Sequence, residues 1–425
     1  MVKWKMMAAV LAVWTSAAAY AAGSANGVAR NDVGNCVCTD VCVDVENCMG
    51  GTMEGDCAHT DGGAEAEGGV PTVDSVGFAD LVGSTGSLRG IMRQVLFAVD
   101  RTDTARTVSC YRIPAITTAP DGSLIAAIDE RVPSCGDLKW SRDINIVMRR
   151  STDGGRTWSP IRKVVDFPDG QSASDPSLIT DTVSGTVFLF YNFMDHDRAK
   201  DAYFFHVMRS TDNGQTWSAP EDITAGVSPE EWRNDFKFLT SGQGTATRDG
   251  RLLHTMVNLQ KGLHLIESTD HGLTWHLIPT PIVPADESKV IELPDGRWMV
   301  NSRVNEGGCR YIHISDDKGR SWTSNPAPDL PDPGCNGAIV HYPYYGEDGC
   351  LLFVNAADPE QRLNLTLRHS TDGGLTWGNG LTLVEGDAGY SDITVLPSGE
   401  IVVLYERDGY TVVEAAVIPK SLLCL

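Results

Sequence analysis

From about Ile91 to the C-terminus, short runs of β-branched and aromatic residues alternate with glycine-containing polar turns, and no useful stretch carries a helical period. This predicts an all-β domain. Two repeats set its architecture. An octapeptide S-x-D-x-G-x-[TS]-W begins at Ser151, Ser210, Ser268, Ser315 and Ser370, at intervals of 47 to 59 residues. In such a unit the Asp carboxylate accepts backbone N–H groups within a tight turn, Gly supplies positive φ, and Trp inserts into apolar space beneath. A second repeat, apolar strand, turn glycine, apolar strand, occurs six times, at Gly122, Gly185, Gly250, Gly296, Gly349 and Gly399. An octapeptide follows each of the first five glycines and is missing after Gly399. Six four-stranded sheets are expected, the last degenerate, so the predicted fold is a six-bladed β-propeller spanning residues 91–425.

Parity then selects a face. In an up-and-down blade the turns between strands 1 and 2 and between strands 3 and 4 lie on one side, so the glycine turns and octapeptides share it. The opposite side carries the start of strand 1, the end of strand 2 and the loop joining strands 2 and 3. Counting back from the turn glycines places Arg112, Asp175, Glu287 and Tyr390 at strand-1 starts. Counting forward places Arg131, Asn192, Asn258, Arg303 and Glu406 at strand-2 ends, and the loops add Asp137 and Arg362. Several arginines and several carboxylates converging on one concavity is the electrostatic signature of a site, whereas polar residues at isolated strand ends are ordinarily just solvated.

Composition sharpens this. With 56 acidic against 34 basic residues the net charge is −22, which repels nucleic acid and anionic membranes over most of the surface. An anionic substrate therefore needs a local cationic pocket. The first residues resemble a secretory signal: Lys3 and Lys5, an apolar stretch from Met6 to Trp14, and Ala19-Tyr20-Ala21, with cleavage expected after Ala21. An uncleaved anchor is the alternative, disfavoured because the apolar part is shorter than the ~20 residues a span needs. Residues 22–90, rich in Gly, acidic residues and Cys, read as a disulfide-tied appendage and linker. The protein is thus expected to be secreted, periplasmic or on the cell surface. Five of the eleven cysteines crowd between Cys36 and Cys57, and disulfides are their expected use. A zinc cluster is the sharper alternative, although paired C-x2-C units and interleaved histidines are missing. Because eleven is odd, at least one thiol stays free or pairs between chains.

From Arg112 to Glu406 the chain resembles the bacterial exo-α-sialidases of glycoside hydrolase family 33. Tyr111-Arg112-Ile113-Pro114 matches that family's first arginine motif, Glu287 leads a segment that runs into Asn301-Ser302-Arg303, and Gly389-Tyr390-Ser391-Asp392 matches its tyrosine motif. The octapeptides correspond to its Asp boxes (BNR repeats), a weaker signal because other propellers share them. The resemblance implies that Arg112, Arg303 and Arg362 grip the carboxylate of a sialic acid, a task for which planar guanidinium groups suit better than lysine. It implies that Glu406 orients Arg112, and that Arg131 and Asp175 contact the ring hydroxyl at carbon 4 and the N-acetyl region. Phe193 or Trp232 is expected to line a pocket for the N-acetyl methyl.

Sialidases are the known tyrosine exception to the two-carboxylate scheme of most glycosidases. A carboxylate nucleophile would be repelled by the substrate's own anion. By resemblance Tyr390 is the nucleophile, Glu287 takes its proton, and Asp137 protonates the leaving oxygen and then activates water, with Asp143 as the fallback for Asp137. The scheme needs no metal and no cofactor. The implied partners are sialylated glycoproteins, gangliosides and oligosaccharides, with no nucleic acid and no obligatory protein partner. Three alternatives share these residues in whole or part: a trans-sialidase, an intramolecular enzyme releasing anhydro-sialic acid, and a sialoglycan-binding adhesin without turnover.

Overall fold

The computed structural model describes residues 90–100, 108–346 and 348–423. The leader-like segment and the cysteine-rich appendage lie outside them. The described residues form six sheets, antiparallel except for one two-residue strand, arranged as a six-bladed β-propeller. The first blade contains Cys110–Thr118, Leu124–Val132, Asp143–Ser151 and Arg162–Val165 in sequential order. The fourth (Ser288–Glu292, Trp298–Ser302, Gly308–Ser315, Thr323–Asp332) and fifth (Ala338–Tyr342, Cys350–Ala356, Leu363–Ser370, Leu381–Asp387) repeat this pattern.

Every predicted turn glycine has positive φ, from 73° at Gly185 to 89° at Gly296. The octapeptides cap the hairpins between strands 3 and 4 as anticipated. In the first, Asp153 accepts the Thr157 N–H at 2.8 Å and its hydroxyl at 2.6 Å, while Gly155 N–H donates to Ser151 Oγ at 2.9 Å. Those bonds, the Thr157 hydroxyl foremost, hold the Asp153 carboxyl down to about 2.

Both faces of each blade are covered by neighbouring blades, so central strands read as continuous apolar runs rather than alternating ones. Leu124–Val132 is buried at eight of its nine positions. The core is accordingly a ring of apolar clusters, each lying between successive blades. Ala115, Ile125, Ala127, Leu178, Val187 and Leu189 fill the gap between the first and second, and equivalent sets follow around to the sixth.

Two features depart from a simple repeat. The sixth blade has only three strands from its own end of the chain, Ser391–Val395, Ile401–Arg407 and Val412–Ile418. Its fourth is Met92–Ala98, which pairs antiparallel with Val412–Ile418 and closes the ring. What the sequence presents as a degenerate blade is therefore complete. In the third blade the innermost strand is split. Lys237–Leu239 and Thr245–Ala246 both pair with Leu252–Asn258, while Gly242–Gln243 between them crosses to lie parallel against Gln171–Asp181 of the second blade. Glycine is required at 244, where a Cβ would stand 2.5 Å from Leu253 O. The swerve also explains why this blade sends no reactive side chain from its first strand.

The first two blades are bridged by a buried polar knot. Asp129, fully buried, accepts from Arg131 Nε and Nη2 at 3.1 and 2.9 Å, from Ser174 Oγ at 2.6 Å and from Asp175 N–H at 3.0 Å. Asp175 receives Asn192 Nδ2 at 3.0 Å. Burial, and then the Asp129 carboxylate beside it, push Asp175 well above the usual carboxylate range. Asp129 thus keeps the charge, facing Arg131, and Asp175 keeps a proton.

Two stability measurements follow. Phe97 is fully buried and its ring lies 5.6 Å from that of Tyr111, so Phe97→Ala opens a cavity under the ring-closing strand. Denaturant titration is expected to show a loss of about 3–5 kcal/mol; a change within error would mean that this strand does not secure the ring. For Asp175, the folded chain binds a proton that the unfolded chain has already released, so stability falls as pH rises from the ordinary carboxylate range toward and beyond neutrality. Asp175→Asn removes that slope. Its melting temperature is expected to exceed that of the parent at mildly alkaline pH, with the gain shrinking toward about pH 5.

Candidate active site

On the face opposite the octapeptides a cavity of about 370 Å³ opens, within the range of small-ligand sites. It is lined by Arg112, Asp137, Asp175, Glu287, Arg303, Arg362 and Tyr390, seven of the eleven residues that strand parity placed on this face. Arg131 and Glu406 lie immediately beneath, both fully buried.

The centre is Tyr390, 7 % exposed. Its hydroxyl donates to Glu287 Oε2 at 2.6 Å and accepts from Arg303 Nη1 at 3.0 Å. Arg303 Nη1 also binds Glu287 Oε2, giving a closed triangle of phenol, carboxylate and guanidinium. The guanidinium carbons of Arg112 and Arg362 stand 5.3 and 5.2 Å from the Tyr390 ring centre. Burial, and then the Glu287 carboxylate, push the phenol well above its ordinary value, against the pull of Arg303 and Arg362. At neutral pH Tyr390 therefore carries its proton and shares it with Glu287.

Glu406 organises the other side. It accepts from Arg112 Nε and Nη2 at 3.2 and 3.4 Å, from Ile113 N–H at 2.7 Å and from Tyr390 N–H at 2.9 Å. A buried carboxylate is tolerable only when its acceptor positions are filled, and here four donors fill them. Gly389 is needed because a Cβ there would fall 2.5 Å from Glu406 Oε2. Glu406, with lesser help from Tyr390, holds the Arg112 guanidinium charged by more than its burial opposes.

The local chain explains how the strand starts aim inward. Ile113 has φ 66° and Asp175 has φ 61°, each immediately before a proline and each within a register shift of its strand. A β-branched residue with positive φ is rare, and a residue before proline prefers extended backbone, so both bulges hold strain of about 1–3 kcal/mol each. The bulges turn the reactive end of each strand toward the axis.

Asp137 lines the cavity, whereas the alternative Asp143 accepts from Asn145 at 3.1 Å at the start of the next strand. Asp137 Oδ1 takes Arg131 Nη1 at 2.6 Å and lies 4.0 Å from Arg112 Nη1. Asn192 and Asn258 serve the scaffold instead. Asn192 exchanges hydrogen bonds with the Leu239 backbone at 2.8 and 2.9 Å, and Asn258 Nδ2 donates to Asp235 at 2.9 Å.

The expected apolar wall is misplaced. Phe193 stacks on His206 with ring centres 4.8 Å apart, packed between the first two blades, and Trp232 lies 4.9 Å from His264. Neither lines the cavity. Strand alternation turns Phe193 toward Phe167, and the wall is built by Leu138, Tyr203, Phe236, Phe238 and Leu259. Sequence counting also passed over three supports. Asn305 Oδ1 accepts from Arg303 Nη2 at 3.0 Å, and its Nδ2 donates to Asp286 Oδ2 at 2.6 Å. Tyr410 accepts from Arg362 Nη1 at 3.1 Å, and its ring centre lies 4.1 Å from the Arg112 guanidinium carbon. Cys110 and Cys135 are joined as a disulfide. Asn305 stands two residues past Arg303, a spacing that offered a cue; the other two have none in the primary structure.

Residues 123–403 match the BNR repeat-like domain family. Over 329 residues the chain is 37 % identical to a sialidase of Micromonospora viridifaciens, an alignment covering 70 % of this chain and 50 % of that one. A sialidase of Bacteroides fragilis is 30 % identical over 70 % of this chain and 60 % of its own. The chain thus spans about half the length of these curated relatives. Among solved structures, the Hadza microbial sialidase Hz136 superposes with a TM-score of 0.67 at 32 % identity, covering 74 % of this chain and 67 % of the other. With five octapeptide caps, six blades and this match over most of the propeller, the chain belongs to the BNR repeat-like family, and the relatives it matches there are sialidases.

Proposed function

We propose that the protein is an exo-α-sialidase that removes terminal α-linked sialic acid from glycoconjugates by hydrolysis with retention. The observation that carries this reading is the Tyr390–Glu287 hydrogen bond at 2.6 Å, set among three guanidinium groups on a single cavity wall. A ligand that binds there should be an anion whose reacting carbon lies next to its negative charge. Arg112 and Arg303 are each balanced by a carboxylate. Arg362 has the Tyr410 hydroxyl instead, so the cluster keeps positive charge for a substrate carboxylate.

With the carboxylate held, the anomeric carbon faces Tyr390. Glu287 takes the phenolic proton as the oxygen attacks, which makes a neutral group an effective nucleophile without adding an anion to the site. Asp137, on the open side of the cavity with its side chain 61 % exposed, protonates the departing oxygen. It then takes a proton from the water that cleaves the tyrosyl–sugar bond, and the proton on Glu287 returns to the phenol. Two inversions give net retention. Asp175, as a neutral donor, meets the polar edge of the sugar, Arg131 is buried below and holds Asp137 rather than touching the sugar itself, and Tyr203, Phe236 and Phe238 receive an acyl group. The leader-like start and the Cys110–Cys135 disulfide both support an exported protein.

Tyr390→Phe deletes the nucleophilic oxygen and little else. Its kcat/KM on a 4-methylumbelliferyl sialoside is expected to fall by at least about 10³-fold; parent-like rates would remove the mechanism, and an inactive parent that still binds sialosides would point to an adhesin. Proton NMR of 3′-sialyllactose digests is expected to show free α-sialic acid appearing first. Predominant anhydro or transferred product would replace hydrolysis by one of the two rival reactions.

A further inference from the structure

The segment that carries Asp137 is tied down in an uneven way. Cys110 stands two residues before Arg112 on the first strand of its blade, Cys135 stands two residues before Asp137, and their Cα atoms are 5.7 Å apart across the disulfide. At the root of the loop, Ser109 N–H donates to Arg131 O at 2.9 Å and the Ser109 hydroxyl to Pro133 O. Beyond Asp137, Trp140 and Ser141 N–H groups turn back onto the Asp137 carbonyl at 2.8 and 3.0 Å, and Leu138 is buried. Apart from that turn onto the Asp137 carbonyl, among the described residues the hydrogen bonds and ion pairs that leave the segment from Ser134 to Asp137 go to Arg131 and Arg112. Two of the three are made by the Asp137 carboxylate itself.

That carboxylate cannot serve both ends of an acid–base cycle while paired. To deliver a proton to a leaving oxygen, Asp137 must be in its acid form, and the acid form gives up the ion pair with Arg131 that fixes it in the empty site. The Arg131–Cys135 O bond at 3.1 Å, the turn onto the Asp137 carbonyl and the disulfide then remain. A covalent tie does not depend on charge, so it holds the backbone in the very state in which electrostatics releases it. With the backbone held, exchange of Arg131 for a glycosidic oxygen is a side-chain rotation and not a loop movement.

We propose that Cys110 and Cys135 are positioning residues for proton transfer by Asp137, coupling the acid/base loop to the strand that presents Arg112. This rests on the reading of Asp137 as the acid/base. A disulfide that merely stabilised the fold would affect all substrates alike. One that positions a general acid affects a substrate in proportion to how much its leaving group needs a proton.

The test compares kcat/KM for 3′-sialyllactose, which expels a sugar alkoxide, with that for 4-methylumbelliferyl sialoside, whose phenolate leaves unaided. Cys110→Ala/Cys135→Ala is expected to lose about tenfold or more on sialyllactose relative to the aryl substrate, while Tyr390-dependent turnover of the aryl substrate survives. Asp137→Ala, measured alongside, must show the same selectivity; if it slows both substrates equally, the acid/base reading itself fails. If Asp137→Ala is selective and the double cysteine variant is not, the positioning role is overturned. Should the variant not fold, the parent treated with a phosphine answers the same question. The disulfide takes two electrons from the phosphine and becomes two thiols, water supplying both protons and the oxygen of the phosphine oxide, and an unchanged ratio of the two rates would again overturn the proposal.

Discussion

A single buried carboxylate holds this site together. Glu406 belongs to the second strand of the sixth blade, yet its oxygens bind the side chain of Arg112 and the backbone of Ile113 in the first blade, and the backbone of Tyr390 in its own. The junction between the last blade and the first is where the ring closes, so the same group that orients Arg112 also seats the phenol beside it. A charge without solvent needs every acceptor filled, which makes the arrangement all-or-none. Gly389, the positive φ of Ile113 and the closing strand Met92–Ala98 are each conditions for it.

The remaining charges follow the same logic with graded partners. Arg303 shares the Glu287 carboxylate with Tyr390, so that guanidinium opposes, from one side, the rise that burial and Glu287 impose on the phenol. Arg131 lies between buried Asp129 and open Asp137, a bridge from scaffold to cavity. The Arg362 guanidinium has only a phenolic hydroxyl as hydrogen-bond partner among the described residues, and it is the least compensated of the three cavity arginines. Opposite charges thus stand in pairs below the floor, and the surplus is left on the surface that a ligand would touch. The overall charge of −22 makes this local surplus a precondition for binding any anion.

Backbone strain is placed where these side chains need aiming. Ile113-Pro114 and Asp175-Pro176 are two uses of one device, a bulge with positive φ held by proline on one side and by a hydrogen bond from the bulged N–H on the other, to Glu406 and to Asp129 respectively. A strand that ran straight would leave Arg112 and Asp175 on the inter-blade packing surface, which is built largely of apolar side chains. The strain is sustained because the acceptors are themselves buried and cannot turn to water.

Much of this was legible in the primary structure because its causes are local or periodic. Each octapeptide closes its own hairpin with its own Asp and Ser, each turn glycine reports a positive φ at a fixed place in a blade, and strand parity then carries both to a common face. That chain of reasoning reached the propeller and gathered Arg112, Asp137, Asp175, Glu287, Arg303, Arg362 and Tyr390 around one cavity. What it could not reach depends on contacts between blades. Eleven cysteines allow many pairings, and only the approach of the first strand to the following loop selects Cys110 with Cys135. Met92–Ala98 closes the sixth blade because the ring brings the two ends of the propeller together, a distance unrelated to chain separation. The apolar wall went to Phe236 and Phe238 and not Phe193, since a shift of one residue in a strand exchanges its two faces, and the split strand of the third blade sets that phase through packing rather than through any motif.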